Sequence, residues 1–149
     1  MTDQESSDAE AMNSINDWNA KVVEEFRANL GVVGGAFEGA PVLLLHTKGA
    51  KSGRERVNPM MYLDEGGRIY VFASKAGADT NPDWFHNLVA NPTVTFEIGS
   101  DTLLANAVPV VGAERDRIYG VQAGRFPGFD EYQAKTSRVI PVVELVRSP

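Results

Sequence analysis

The sequence predicts a mainly β, α+β fold: a small antiparallel barrel of about six strands with short helices set between them. Three observations predict it. Short runs that are apolar or alternate in polarity recur along the chain, punctuated by turn residues such as Asp64-Glu65-Gly66-Gly67 and Gly99-Ser100. Successive runs are joined mostly by hairpins, without the strand–helix alternation of a parallel sheet. A length of 149 residues suits one domain with its own core.

Taken in order, residues 1–13 show no apolar periodicity and carry Asp3, Glu5, Asp8 and Glu10, so they read as a disordered acidic tail. An amphipathic helix is expected over 14–31, opened by Ser14 with Asp17 three residues on. Ile15, Trp18, Val22, Phe26 and Leu30 share one face, and Gly31 suits the C-terminal cap. Such a helix packs on the domain, closes over a site as a lid, or makes a weak membrane-surface contact. Its few basic residues count against the last. Strands are expected at 42–47, 56–63, 68–74, 93–98, 103–111 and 140–146, with Pro141 suggesting an edge or start. Asn81-Pro82 opens a short helix that Asn91-Pro92 ends, and further helices are expected at 113–121 and 129–137.

Composition excludes several functions. There is no cysteine, hence no disulfide, thiolate metal site or cysteine nucleophile. His46 and His86 have no partner at metal-ligand spacing, so no metal is expected, and backbone satisfaction of each imidazole is the simpler reading. Arg115, Arg117 and Arg125 read as exposed surface. The net charge of −6 argues against nucleic-acid binding. No run is long and apolar enough for a bilayer, and the polar N-terminus does not read as a signal peptide, so a cytoplasmic location is expected.

The cations are not evenly spread. Lys48, Lys51, Arg54 and Arg56 face only Glu55 within eleven residues of an acidic chain. Gly49 and Gly53 bracket Lys51-Ser52, which permits a tight turn whose N–H groups and hydroxyl can hold an anion. A solvated basic turn is the equal alternative on composition alone. A Walker A loop is excluded, because Ala50 replaces its glycine and no helix follows.

The run from Pro41 to Pro59 (PVLLLHTKGAKSGRERVNP) resembles the signature of the deazaflavin-dependent nitroreductase and F420H2-dependent quinone reductase family. The resemblance continues through Ala73-Ser74-Lys75-Ala76-Gly77, through 81–88 and Ala90-Asn91-Pro92, and on to Tyr132 and Ile140-Pro141-Val142. It implies a split β-barrel over 37–149, like that of FMN-binding oxidases, holding coenzyme F420, with FMN the lesser alternative. It further implies that Lys51, Ser52 and Arg56 hold the coenzyme's phosphate and acidic tail. Asn58, Pro59 and Met60 would run beside the ring, Ser74 and Lys75 would approach it, and Trp84 and Asn87 would close the groove. The resemblance implies hydride transfer to a planar acceptor such as a quinone or nitro compound, with Ser74 and Tyr132 as candidate catalytic proton donors. Phe126 and Phe129 stand where some relatives carry tyrosines, which favours an apolar quinone. A homodimer and a non-catalytic F420 carrier are the remaining expectations.

Overall fold

The computed structural model describes residues 3–148, and of residues 3–15 the backbone alone. Six strands form the barrel: β1 (Val42–Lys48), β2 (Glu55–Glu65), β3 (Arg68–Phe72), β4 (Thr93–Ile98), β5 (Asp101–Val110) and β6 (Val142–Arg147). They close in the order β1-β2-β3-β6-β5-β4, every pair antiparallel. The helices are α1 (Asp3–Ala28), α2 (Asp83–Ala90), α3 (Gly112–Arg125) and α4 (Gly128–Ala134). The expected fold class holds, with the ends of the strands and of α2, α3 and α4 moved by a few residues.

Local chemistry explains the turns. Glu65 pairs directly with Arg68, so Gly66 and Gly67 alone make the β2–β3 turn, at φ 62° and 88°. Two left-handed residues in succession are what a tight hairpin needs. The Gly67 N–H also donates to Asp64 Oδ1 at 2.9 Å.

Three apolar clusters hold the structure. Inside the barrel, Leu43, Leu45, Met60, Val71, Phe96 and Leu145 meet, and Trp84 and Leu88 of α2 cap one end. Outside it, α3 and α4 lay Ile118, Tyr119 and Phe129 over Phe72 and Val142. On a third side α1 packs Val22 and Phe26 over Val42 and Leu44. Strand β1 is thus covered on both faces, which is why its sequence is a continuous apolar run instead of an alternating one.

The N-terminal helix differs from expectation. It begins at Asp3 instead of Ser14, so the expected tail is helical from Asp3 on. It ends at Ala28, and Leu30 (φ 54°) is left exposed. Of the expected apolar face only Val22 and Phe26 are buried; Trp18 stays 45% exposed, against Phe37 at 5.6 Å, and the Ile15 side chain lies outside the described residues. Gly31 (φ 92°) passes so near Gly99 that a Cβ would sit 2.9 Å from its Cα, so the crossing demands glycine.

The barrel is split along β2. Glu55 to Met61 pair with β1, but only Tyr62 to Glu65 pair with β3. Past Val71 the chain of β3 leaves β2 and stays with β6 alone, where the Ala73 N–H donates to Pro141 O at 2.9 Å. The Tyr62 N–H donates to Pro41 O on the β1 side, so by ladder alternation Val57, Pro59 and Met61 turn their backbones to the open side. Pro59 is tolerated in the middle of an eleven-residue strand because its missing N–H faces that opening.

Candidate functional site

At the mouth of the barrel, where β2 is open, lies a cleft of about 1010 Å³ between α1, α2 and the β1–β2 turn. Six of the expected residues line it: Lys51, Ser52, Arg56, Asn58, Trp84 and Asn87. The turn is closed on itself. The Gly49 N–H donates to Arg54 O (2.8 Å), the Gly53 N–H to Gly49 O (2.9 Å), and the Arg54 N–H to Ser52 Oγ (3.2 Å). A Cβ on Gly49 would come within 2.6 Å of Ser52 Oγ, so any other residue there would have to turn that hydroxyl aside. Lys51, Arg54 and Arg56 are exposed and form no ion pair among the described residues.

Helix α2 fixes the turn. Asn87 is buried; its Oδ1 accepts the Ala50 N–H at 3.0 Å and its Nδ2 donates to Thr47 Oγ1 at 3.3 Å. One turn on, Asn91 Nδ2 donates to Lys48 O at 3.4 Å. The Asn87 amide is therefore engaged in holding the cationic turn, beyond its expected place on the wall. The α1 side of the cleft, with Asn16 and Asn19, escaped the sequence reading, since uncharged asparagines on a helix give no signal of what they face.

The other expected residues lie elsewhere. Met60 is a core residue instead of a wall: even-numbered positions of β2 point inward, which sends it among Leu43 and Val71. Pro59 faces outward with its backbone at the split. Ser74 and Lys75 follow β3 on the opposite lip of the split, and Lys75 Nζ donates to Thr80 Oγ1 at 3.3 Å. Lys75 and Ala76 hold left-handed φ angles of 45° and 53°, which cost non-glycine residues about 1–2 kcal/mol each. Tyr132 on α4 is half-buried, edge-on to Phe129 at 5.4 Å, and does not line the cleft. Its carbonyl packs on the lip, where a Cβ on Gly77 would lie 2.8 Å away. Phe129 is itself buried against Phe72, at 5.5 Å, so it does not face the cleft.

Two expectations about lone residues need correction. His46 is held by carboxylates, not backbone: Nδ1 lies 2.9 Å from Glu55 Oε1 and Nε2 lies 2.5 Å from Glu97 Oε2. Arg27 of α1 grips the same Glu97 through two nitrogens, at 3.1 and 2.8 Å, and this hydrogen bonding holds the Glu97 carboxyl below the usual carboxylate range. Arg115 is buried instead of surface. Its Nε and Nη2 donate to Ile140 O at 3.0 and 2.8 Å, Nη2 also to Gln133 Oε1 at 2.7 Å, and it lies 4.4 Å over the Tyr119 ring. Among the described residues no cluster of metal-ligating side chains occurs, and no helix is long and apolar enough to cross a membrane.

Comparison with known proteins bears on the family and the fold. The description of the F420H(2)-dependent quinone reductase family matches residues 18–147. An F420H(2)-dependent quinone reductase of Mycobacterium tuberculosis is 38% identical over 126 residues, spanning 82% of this chain and 85% of that protein. The solved F420-H2 dependent reductase FDR-A superposes with a TM-score of 0.65 at 39% identity, covering 70% of this chain and 93% of its own. A solved structure described as a domain-swapped dimer superposes at 0.67 with 35% identity, over 87% of this chain and 98% of that one. Matched along most of its length in sequence and in barrel architecture, the chain belongs to the F420H2-dependent quinone reductase family.

Proposed function

We propose that this protein takes a hydride from reduced F420 and delivers it to a planar, quinone-type acceptor. The observation that carries the reading is the junction of two features: an unpaired cationic turn and, beside it, the open edge of β2. The residues fit the coenzyme. A cleft of about 1010 Å³ stands at the upper end of the size of small-molecule sites, which suits a long ligand. Lys51 and Arg56 would neutralise its phosphate and acidic tail, with Ser52 as a further donor. The backbones of Val57, Pro59 and Met61 would meet the polar edge of a flat ring lying in the split, and Trp84 would wall it. When bound, the reduced deazaflavin supplies the hydride. The chain's work is to orient the acceptor, exclude water, and donate a proton or hydrogen bond to the charge that develops on the acceptor oxygen. The Ser74 hydroxyl and the Tyr132 phenol, on or beside the second lip, are the donors proposed for that step.

The test is a titration followed by turnover. Tight F420 binding with weak FMN binding, and oxidation of F420H2 only when menadione is present, are expected. Saturation by FMN alone would overturn the cofactor, and F420 binding without acceptor-dependent oxidation would favour a carrier. A nitroaromatic in place of menadione is expected to turn over more slowly. The same reading includes a cytoplasmic location and pairing of two copies, the latter supported by the domain-swapped relative and checked by sedimentation. A weak membrane-surface contact would run through the exposed Trp18, and pelleting with anionic vesicles tests it.

A further inference from the structure

Arg138 lies between α4 and β6, and its guanidinium is occupied with one short stretch of chain. Nε donates to Ala78 O (2.8 Å), Nη1 to Ala73 O (3.2 Å) and to Asn81 Oδ1 (2.8 Å), and Nη2 to Ser74 O (3.0 Å). A planar fork of fixed donors can serve converging oxygens in this way, and a lysine ammonium cannot. The stretch it holds has an uncommon backbone. Ser74 is right-handed (φ −73°, ψ −39°), and Lys75, Ala76 and Gly77 follow at φ 45°, 53° and 83°. A right-handed residue followed by a left-handed one turns consecutive N–H groups to one side and forms a concavity for electronegative atoms. Here the carbonyls of Ala73, Ser74 and Ala78 are turned to Arg138, while the N–H groups of Ser74, Lys75 and Ala76 have no partner among the described residues.

We propose that Arg138 is a positioning residue of the reductase: by gathering these carbonyls it holds the lip at 74–77 in its left-handed form and presents the Lys75 side chain and the three N–H groups to the coenzyme. Arg138 itself touches no ligand. The inference rests on the reading above that this lip meets F420.

The experiment compares Arg138→Lys with wild type by circular dichroism, by fluorescence titration with F420 and by turnover of menadione. Arg138→Lys keeps the charge and loses the fork. With the fold retained, its Kd for F420 should rise about tenfold, the effect of losing one charge-assisted contact in the lip. Its KM for menadione at saturating F420H2 should hold. Adding Ala76→Gly to that variant should recover most of the lost affinity, because glycine adopts the left-handed form unaided. A lowered melting temperature with unchanged Kd would make Arg138 a scaffold arginine and overturn the proposal, and so would failure of Ala76→Gly to recover binding. If Arg138→Lys does not fold, Asn81→Ala decides instead. It removes one partner of the fork and should raise Kd severalfold; unchanged Kd refutes the proposal. Lys51→Ala with Arg56→Ala tells the two failures apart. If that double variant loses F420 and the Arg138 variants do not, the coenzyme site stands and the clamp falls; if neither loses it, the site itself is misplaced.

Discussion

Two sets of cations in this molecule look alike in sequence and differ in what surrounds them. Arg115 and Arg138 place their guanidinium nitrogens on backbone carbonyls and amide oxygens, and so tie α3, α4 and the lip to β6. Lys51 and Arg56 line the cleft, and Arg54 lies between them on the chain, with no such partner among the described residues, on a turn that Asn87 and Asn91 hold in place. A guanidinium whose donors are engaged acts only on the chain that it holds. A cation fixed by its neighbours yet left unpaired retains its capacity for an anion from outside. Function is legible here in which charges the protein leaves unused.

The largest test of that contrast is Lys51→Ala combined with Arg56→Ala. Each substitution removes a charge-assisted contact of about 1.5–3 kcal/mol, so F420 affinity by fluorescence titration should fall on the order of a hundredfold or more. The melting temperature should hold, because neither side chain supports the fold. Affinity that survives would place the coenzyme's acidic end elsewhere. The converse substitution is Arg115→Met. It strands Ile140 O and leaves Gln133 Oε1 with the Ile140 N–H alone, and a buried group without its partner costs about 1–3 kcal/mol. Urea denaturation should show that loss, while the folded fraction binds F420 as before. An equal loss of affinity would blur the two classes.

The smallest effect lies between the two sets, at the pair that ties α1 to β4. Arg27 depresses the Glu97 carboxyl, so the stability this gives is present at neutral pH. It is lost as pH falls past the unfolded carboxyl value of about 4.3 and through the lower folded one. Arg27 is half-exposed, so Arg27→Ala should cost about 1 kcal/mol or less at pH 7, and less as the pH falls and the carboxyl protonates, in urea titrations. A cost that does not change with acid would show that the contact of α1 there is apolar packing.

The barrel was legible because its signals are local. The Gly66-Gly67 turn, the doubly buried run of β1 and the proline-flanked α2 each announce themselves within a few residues. What was not legible depends on register and on partners far along the chain. Trp18 falls on the apolar stripe of α1 by spacing, yet the helix rolls so that Val22 and Phe26 take the burial. Met60 shares the inward face of β2 with Asn58, but two residues deeper in the barrel it joins the core while Asn58 lines the cleft. Arg115 and Arg138 could not be told from Arg56, since a carbonyl acceptor twenty or sixty residues distant leaves no trace in composition. One signal was available and unused: a proline inside a long strand marks a place where the ladder has no neighbour.

That proline has a consequence beyond ligand binding. A strand flank with free donors is adhesive, and it will zip to its neighbour or recruit a foreign strand. By carrying no amide hydrogen at position 59, the chain makes its own opening a poor template. The open edge carries one donor fewer for that omission, and a residue that restored it would make the flank more adhesive.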